Sequence, residues 1–426
     1  MTALKSMDAA ARAALADKLK SRYEAFQTRK LNLDMTRGKP CSAQLDLSAD
    51  MLTCVDGKSC KADGAVDTRN YGGLGGLDEA RKLFGDMLEV APGEVIVHGN
   101  SSLTLMYDVA ATALLFGVPG GDKPWRDVAG IKFLCPCPGY DRHFSICQHF
   151  GIQMVNVGMN GQGPDMDQVE KLVAADPAIK GMWCVPKYSN PTGETYSDAV
   201  VDRLARMKTA APDFRIFWDN AYTVHHLGDH PDRLKDILKA CKDAGHADRA
   251  YIFGSTSKIS FAGGGVSMVG ASESNIKALL KSMSMQCIGP DKINQLRHVR
   301  FFKSLDGIQV HMRKHAAILK PKFDAVVEVL SRELGDAGVA AWSNPNGGYF
   351  ISLDTLPGCA KDVVAMAGAA GVKMTGAGAT FPYGKDPQDC NIRISPSLPS
   401  VDEIRTAMEL LAICVLRVSL GKNAAK

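Results

Sequence analysis

This 426-residue chain predicts an α/β fold with a mainly parallel, seven-stranded sheet sandwiched by helices, and three observations predict it. Short apolar runs alternate with amphipathic stretches from about residue 94 to 285, the rhythm of strands joined by crossover helices. A 46% hydrophobic composition over this length supplies a large core and a smaller one. Both chain ends fall outside the alternation and carry helical patterns, with two further strands near the carboxyl end.

Taken in order, Asp8–Gln27 is rich in Ala and Lys and reads as a helix, followed by an extended segment holding Arg37-Gly38-Lys39-Pro40. Strands are expected at Glu94–His98, Ile131–Leu134, Gln153–Val157, Gly181–Val185, Arg215–Trp218 and Tyr251–Phe253, with Val266–Gly270 as the seventh. Helix-like segments such as Leu103–Leu115 and Asp198–Met207 lie between several of them. Long helical patterns run from Asp291 to Leu334, then strands near Gly348–Leu353 and Asn391–Ile394, a helix over Val401–Val418, and a frayed tail at Gly421–Lys426. The expected division places residues 47–310 in a large domain. Residues 1–46 and 311–426 then form a smaller α+β domain, with a linking helix near 290–320.

Fifty Lys and Arg against 46 Asp and Glu leave a net charge of +4 with no basic block, so the chain lacks the footprint of a nucleic-acid binder. No apolar run approaches the length that spans a bilayer, and the first residues lack the apolar core of a signal peptide, so no membrane partner and a cytoplasmic location are expected. The twelve cysteines are scattered, as in a reducing compartment. The one tight pair, Cys135-Pro-Cys137, has no second pair at metal-finger spacing, so no metal is expected.

Three phrases carry chemistry: Ser189-Asn-Pro-Thr-Gly193, Phe217-Trp-Asp-Asn-Ala-Tyr222 and Ser255-Thr-Ser-Lys258. Together they outline a pyridoxal 5'-phosphate pocket, with an amine for the aldehyde, a carboxylate for the pyridine nitrogen and donors for the phenolic oxygen. Lys258 follows the strand Tyr251–Phe253 and projects from the carboxyl edge of a parallel sheet, where such sheets place ligands; a surface lysine is the ordinary alternative. Asp219 ends an apolar strand, where an unpaired carboxylate is costly. A protonated ring nitrogen would satisfy it, and helix capping is the other reading. Tyr222 and Asn190 would donate to the phenolic oxygen, although both residue types are common in turns.

His98-Gly-Asn100-Ser101-Ser102 joins a strand to the helix beginning near Leu103. Such a junction is a phosphate seat, because free N–H groups and the helix dipole both favour an anion there; an ordinary N-cap uses the same residues. Ser255 and Ser257 are further phosphate candidates. Tyr140 is placed either to stack on a planar ring or to fill the core. Arg393, between the isoleucines of Asn391-Ile-Arg-Ile-Ser395, needs an anion, either a substrate α-carboxylate or a structural salt-bridge partner.

The ordered set Asn190-Pro-Thr-Gly193, Asp219-x-x-Tyr222, Ser255-x-x-Lys258 and Arg393 resembles class I aminotransferases, pyridoxal phosphate enzymes of fold type I, over roughly residues 30–400. Asn70-Tyr-Gly-Gly-Leu-Gly-Gly76 and Pro138-Gly-Tyr-Asp-Arg-His143 are similar to a divergent bacterial branch of aspartate aminotransferases. The resemblance implies that Lys258 is the imine lysine and proton shuttle, Asp219 the pyridinium partner, Tyr140 the ring stack and His143 a support behind Asp219. It also implies a homodimer with shared active sites, in which Tyr71 reaches a phosphate across the interface. One departure stands out: eight residues after the lysine the family usually has an arginine, whereas Phe261-Ala-Gly-Gly-Gly-Val266-Ser267 contains none.

An amino acid with two carboxylates needs two cations. Arg393 is the choice for the α-carboxylate and Arg142 for the distal one, with Arg37 and Lys39 as runners-up beside Gly38, whose backbone is placed against the substrate. A solvated residue at a helix start is the other reading of Arg142. The expected reaction passes the amino group from aspartate to 2-oxoglutarate by ping-pong kinetics. An aromatic or kynurenine-type aminotransferase, a β-lyase or a decarboxylase shares the same scaffold. A transcriptional regulator with an aminotransferase-like sensor would need a helix-turn-helix ahead of the substrate loop, where only one helix is read.

Overall fold

A computed structural model describes residues 4–424 of the chain. Seven strands form one sheet: β1 (Val95–Val97), β2 (Lys132–Cys137), β3 (Gln153–Gly158), β4 (Ile179–Cys184), β5 (Arg215–Asp219), β6 (Ala250–Ser255) and β7 (Ser267–Ala271). Their spatial order is β1-β7-β6-β5-β4-β2-β3, and only β7 runs antiparallel to its neighbours. The central strands β4 and β5 are buried at every residue, as is the edge strand β1, whereas the other edge strand, β3, mixes buried and open positions. Gly181 in β4 is required by this packing, since a Cβ there would lie 2.4 Å from the ring of Phe133 on the neighbouring strand. The space it leaves is filled by Phe133, Trp183 and Phe217, with ring centroids 4.7–5.8 Å apart.

Helices cover both faces of the sheet. Those that position the site are α2 (Ser102–Phe116) and α3 (Asp141–His149), each starting at or just beyond the carboxyl end of a parallel strand or its turn, with α1 (Ala9–Thr28) remote at the amino end. Asp8 caps α1 by accepting from the Ala11 N–H at 2.7 Å. The stretch from Asp291 to Leu334 is two helices, α4 (Lys292–Phe302) and α5 (Leu305–Leu334), because the chain turns at Lys303 with φ of 65°. The break lets α5 start afresh on the Ser304 cap.

Three cores result. Two lie on opposite faces of the large sheet, and Ile308 and Met312 of α5 belong to one of them. Farther along the same helix, Leu319 to Leu334 enter a third core built from both chain ends. There Leu19, Tyr23 and Phe26 of α1 meet Ile392 and Ile394 and the buried face of α6 (Val401–Ala424). Three antiparallel strands, β8 (Ala340–Trp342), β9 (Ile351–Thr355) and β10 (Asn391–Ile394), back this core, and Leu33–Asp34 pairs with Val372–Lys373 beside them.

Several boundaries shift by one to three residues from the sequence reading, and two of the shifts have a visible cause or consequence. β9 begins at Ile351 rather than Gly348, because Gly347 and Gly348 bend tightly around Tyr188 before the strand can start. The last helix does not stop at Val418 but continues through Gly421 to Ala424; the remainder of the expected frayed tail, residues 425–426, lies outside the described residues.

Candidate active site

The carboxyl ends of the parallel strands open onto a cavity of about 320 Å³. Its lining unites most residues singled out from sequence: Gly38, Ser101, Ser102, Tyr140, Arg142, Asn190, Asp219, Tyr222, Ser255, Ser257, Lys258 and Arg393. Arg37 and Lys39 line it as well. Two residues stand apart. The Asn100 side chain is exposed, and only its carbonyl is engaged, accepting from Ser257 Oγ at 3.3 Å. Tyr71 does not line the cavity and is 82% exposed.

Asp219 is the last residue of β5, deep at the cavity floor. Its Oδ2 is 3.0 Å from Nε2 of His143, whose ring stacks on Trp183 at 4.4 Å. A carboxylate cannot donate, so Nε2 carries the proton in this pair. Oδ1 is buried with no hydrogen-bond partner among the described residues, a costly arrangement unless a cation or donor fills the space in front of it.

Lys258 follows β6 after one tight turn, and its Nζ lies 5.3 Å from the ring of Tyr222 and 5.6 Å from that of Tyr349. Burial holds the ammonium below the ordinary lysine pKa; the Asp219 carboxylate opposes that shift and Arg393 adds to it. The backbone at the lysine is fixed by two histidines. His225 Nε2 donates to the Lys258 carbonyl at 3.3 Å, and His311 Nε2 on α5 donates to the Ile259 carbonyl at 2.9 Å. Behind His311 come His315 at 3.1 Å and Gln44, which also donates to the Tyr349 hydroxyl at 2.9 Å. Burial pushes Tyr222 far above the usual phenol range, and it pushes Tyr140 up to about 12. Both hydroxyls therefore stay protonated and able to donate.

Helix α2 begins at the cavity with no side-chain cap from Ser101, so its first N–H groups are available to an anion. The hydroxyls of Ser255 and Ser257 lie 3.2 Å apart beside it. Eight residues after Lys258, where the resemblance implied an arginine, Val266 is buried, with its N–H bonded to Thr256 Oγ1 at 2.8 Å.

The opposite wall comes from the chain ends. Arg393 on β10 lies with its guanidinium 4.9 Å from the Phe350 ring centroid. One terminal nitrogen donates to Asp141 Oδ1 at 3.0 Å and to Asn190 Oδ1 at 3.3 Å, and the other to Thr375 Oγ1 at 3.4 Å. A salt-bridge partner is thus present at an arginine that sequence reading assigned first to substrate. Phe350 also explains Gly38, where a Cβ would fall 2.7 Å from Phe350 Cζ. Sequence reasoning missed Asp141, Tyr349 and Phe350. Only the Gly347-Gly348 doublet announced the last two: a Cβ at Gly347 would sit 2.3 Å from the Tyr188 ring, so the doublet marks a forced close approach just ahead of them.

Sheet and site together define a pyridoxal phosphate-dependent aminotransferase of fold type I. Residues 7–426 match the family model for aspartate amino-transferase, and the chain belongs to that family. It is 46% identical over 398 residues to an aspartate aminotransferase of Corynebacterium glutamicum, covering 93% of this chain and 92% of that one. A crystal structure of an aspartate transaminase from the same organism superposes with a TM-score of 0.96 at 44% identity, covering 99% of each chain. An α-aminoadipate aminotransferase from Thermus thermophilus, solved with N-(5'-phosphopyridoxyl)-L-leucine, shares the fold at a TM-score of 0.74 and 19% identity, covering 94% of this chain and 97% of that one.

The cavity fits the cofactor that the family uses. An orphaned carboxylate oxygen faces a site for a ring-nitrogen proton, an amine of lowered basicity stands beside it, and hydroxyls and free helix N–H groups are gathered where a phosphate can bind. Among the described residues, no helix is long and apolar enough to cross a membrane.

Proposed function

We propose that the chain transfers the amino group of aspartate to 2-oxoglutarate, giving oxaloacetate and glutamate by ping-pong kinetics. The observation that carries this reading is that Arg393 and Arg142 line the same cavity as Lys258, giving two cations for a substrate with two carboxylates. The similarity to the Corynebacterium glutamicum aspartate aminotransferase supports it.

Pyridoxal 5'-phosphate, when bound, supplies the electron sink that stabilises negative charge at the substrate α-carbon. In this reading Asp219 Oδ1 holds the proton of the ring nitrogen, and His143 keeps the carboxylate turned toward it. Tyr140 covers the ring. Tyr222 and Asn190 hydrogen-bond the phenolic oxygen, while Ser101, Ser102, Ser255 and Ser257 hold the phosphate. Lys258 Nζ takes the proton from the α-carbon. Its lowered pKa increases the fraction that is neutral, and so competent as a base, near pH 7. Arg393 binds the α-carboxylate and Arg142 the distal one, with the Gly38 backbone closing over the substrate.

The proposal includes a homodimer. Tyr71, largely exposed in a single chain, is then free to reach the partner's phosphate site. Residues 47–310 form the cofactor-bearing domain, and the two chain ends form the smaller one. All twelve cysteines are free thiols, in keeping with a cytoplasmic location.

The test is product analysis. Cofactor-loaded protein mixed with L-aspartate and 2-oxoglutarate is expected to yield oxaloacetate and glutamate in equal amounts, with parallel reciprocal plots. Alanine and carbon dioxide, or ammonia released without glutamate, in their place would overturn the assignment.

A further inference from the structure

Arg393 is held firmly in the cavity wall, against the Phe350 ring at 4.9 Å. Its side chain is 6% exposed and cannot leave the wall, and its Nε is buried without a partner among the described residues. An entering carboxylate therefore meets the guanidinium through its two terminal nitrogens, and one of these already donates to Asp141 at 3.0 Å. Asp141 is different. It is the first residue of α3, its side chain is 36% exposed, and its carboxylate has no other hydrogen-bond or ion-pair partner among the described residues. Swinging into water costs it little, and the amino end of α3 favours its negative charge in either position.

We propose that Asp141 is a built-in competitor for the substrate carboxylate. Between turnovers its carboxylate occupies Arg393, and an incoming α-carboxylate binds by displacing it. This rests on the reading of Arg393 as the α-carboxylate site. The exchange swaps one anion for another, so the buried guanidinium is never left without a counter-charge. It also raises the threshold for binding. The apparent dissociation constant is the intrinsic one divided by the fraction of molecules in which Arg393 is free. Arg142 follows Asp141 directly on α3, so a ligand with a second carboxylate gains a contact next to the group it displaces, whereas a monocarboxylate must displace Asp141 with no such gain. The device therefore favours dicarboxylic over monocarboxylic ligands.

Succinate, which has two carboxylates and no amine, reads the site without turnover. On the cofactor-loaded protein, calorimetric titration is expected to show Asp141→Asn binding succinate about three- to tenfold more tightly than the native chain. The KM for aspartate should fall by a similar factor without a rise in kcat, and butyrate should gain at least as much affinity as succinate. Asp141→Glu restores the charge and should return succinate affinity toward the native value, while Asp141→Ser should behave like the asparagine variant. If succinate binding to both neutral variants is unchanged or weaker, Asp141 does not compete and the proposal fails. Arg393→Lys separates the two readings. If that variant binds succinate as well as the native chain, the assignment of Arg393 itself is wrong. If it loses succinate while Asp141→Asn gains nothing, only the competitor role is wrong.

Discussion

Lys258, Asp219 and Tyr222 stand at or just beyond the carboxyl ends of two adjacent strands, β5 and β6, whereas Arg393, Phe350 and Gly38 come from three separate segments of the chain ends. The first group is locked in place. Asp219 is braced by His143, which is stacked on Trp183, and the backbone at Lys258 is fixed by His225 and His311. The second group is held by contacts that a ligand can replace, above all the ion pair between Arg393 and the half-exposed Asp141. The difference separates two tasks. In the proposed reaction, a preorganised floor would keep proton-transfer groups within a narrow geometry, and an exchangeable rim would admit and release carboxylates in each half-reaction.

Substitutions in the two regions should therefore fail differently. Lys258→Ala is expected to lower kcat/KM for aspartate by at least about a thousandfold, measured by coupled oxaloacetate release, because the base is lost. Retention of near-native turnover would move the base elsewhere. Asp219→Asn should reduce kcat by at least about a hundredfold, as expected for breaking a buried charged pair, and it should weaken cofactor retention on gel filtration. A change confined to KM would place Asp219 outside the cofactor site.

At the rim, Gly38→Ala pushes a methyl group toward Phe350 and through it toward Arg393. It should raise the KM for aspartate several-fold and lower stability by about 1–3 kcal/mol, with the cofactor absorption spectrum unchanged. An altered spectrum with a native KM would mean that the ring strain is transmitted to the floor instead.

The floor also carries a pH signature. Burial holds His298 and His315 down at about 4, against about 6.5 for an unfolded chain. Between those values the unfolded chain binds protons that the folded chain refuses, so this part of the stability is present above about pH 6.5 and is lost as pH falls toward about 4. The midpoint of urea unfolding should drop across that window and be insensitive to these groups above about pH 7. His298→Gln should flatten the slope. Nδ1 of His298 donates to the Asn294 carbonyl at 2.8 Å, leaving Nε2 to accept from the Ser260 hydroxyl, so protonation breaks a satisfied pair.

The same contrast governs how much could be read from sequence. The floor was legible because each of its groups sits on a local signal: Asp219 at the end of an apolar run, Lys258 one turn beyond the next, Ser101 and Ser102 where a helix starts. The seven strands were legible for the same reason. The rim was only half legible. Arg393 was conspicuous as a charge between two isoleucines, but its partner Asp141 lies 252 residues away, and no local pattern links them. Phe350 acts by filling space above Gly38 and under Arg393, a role that exists only once both chain ends have folded together. Asn100 shows the converse. The helix-start motif was read correctly, but the turn at Gly99, with φ of 68°, leaves the next side chain exposed and presents only its carbonyl to Ser257.

The separation of floor from rim is tested most directly by titrating Arg393→Lys first with pyridoxal phosphate and then with succinate. The account expects cofactor affinity within about threefold of native, because no cofactor-binding group is altered, and succinate affinity at least about tenfold weaker, because a lysine cannot reproduce the paired guanidinium contact. Loss of both affinities together would contradict it, since the rim would then be part of the cofactor's own seat.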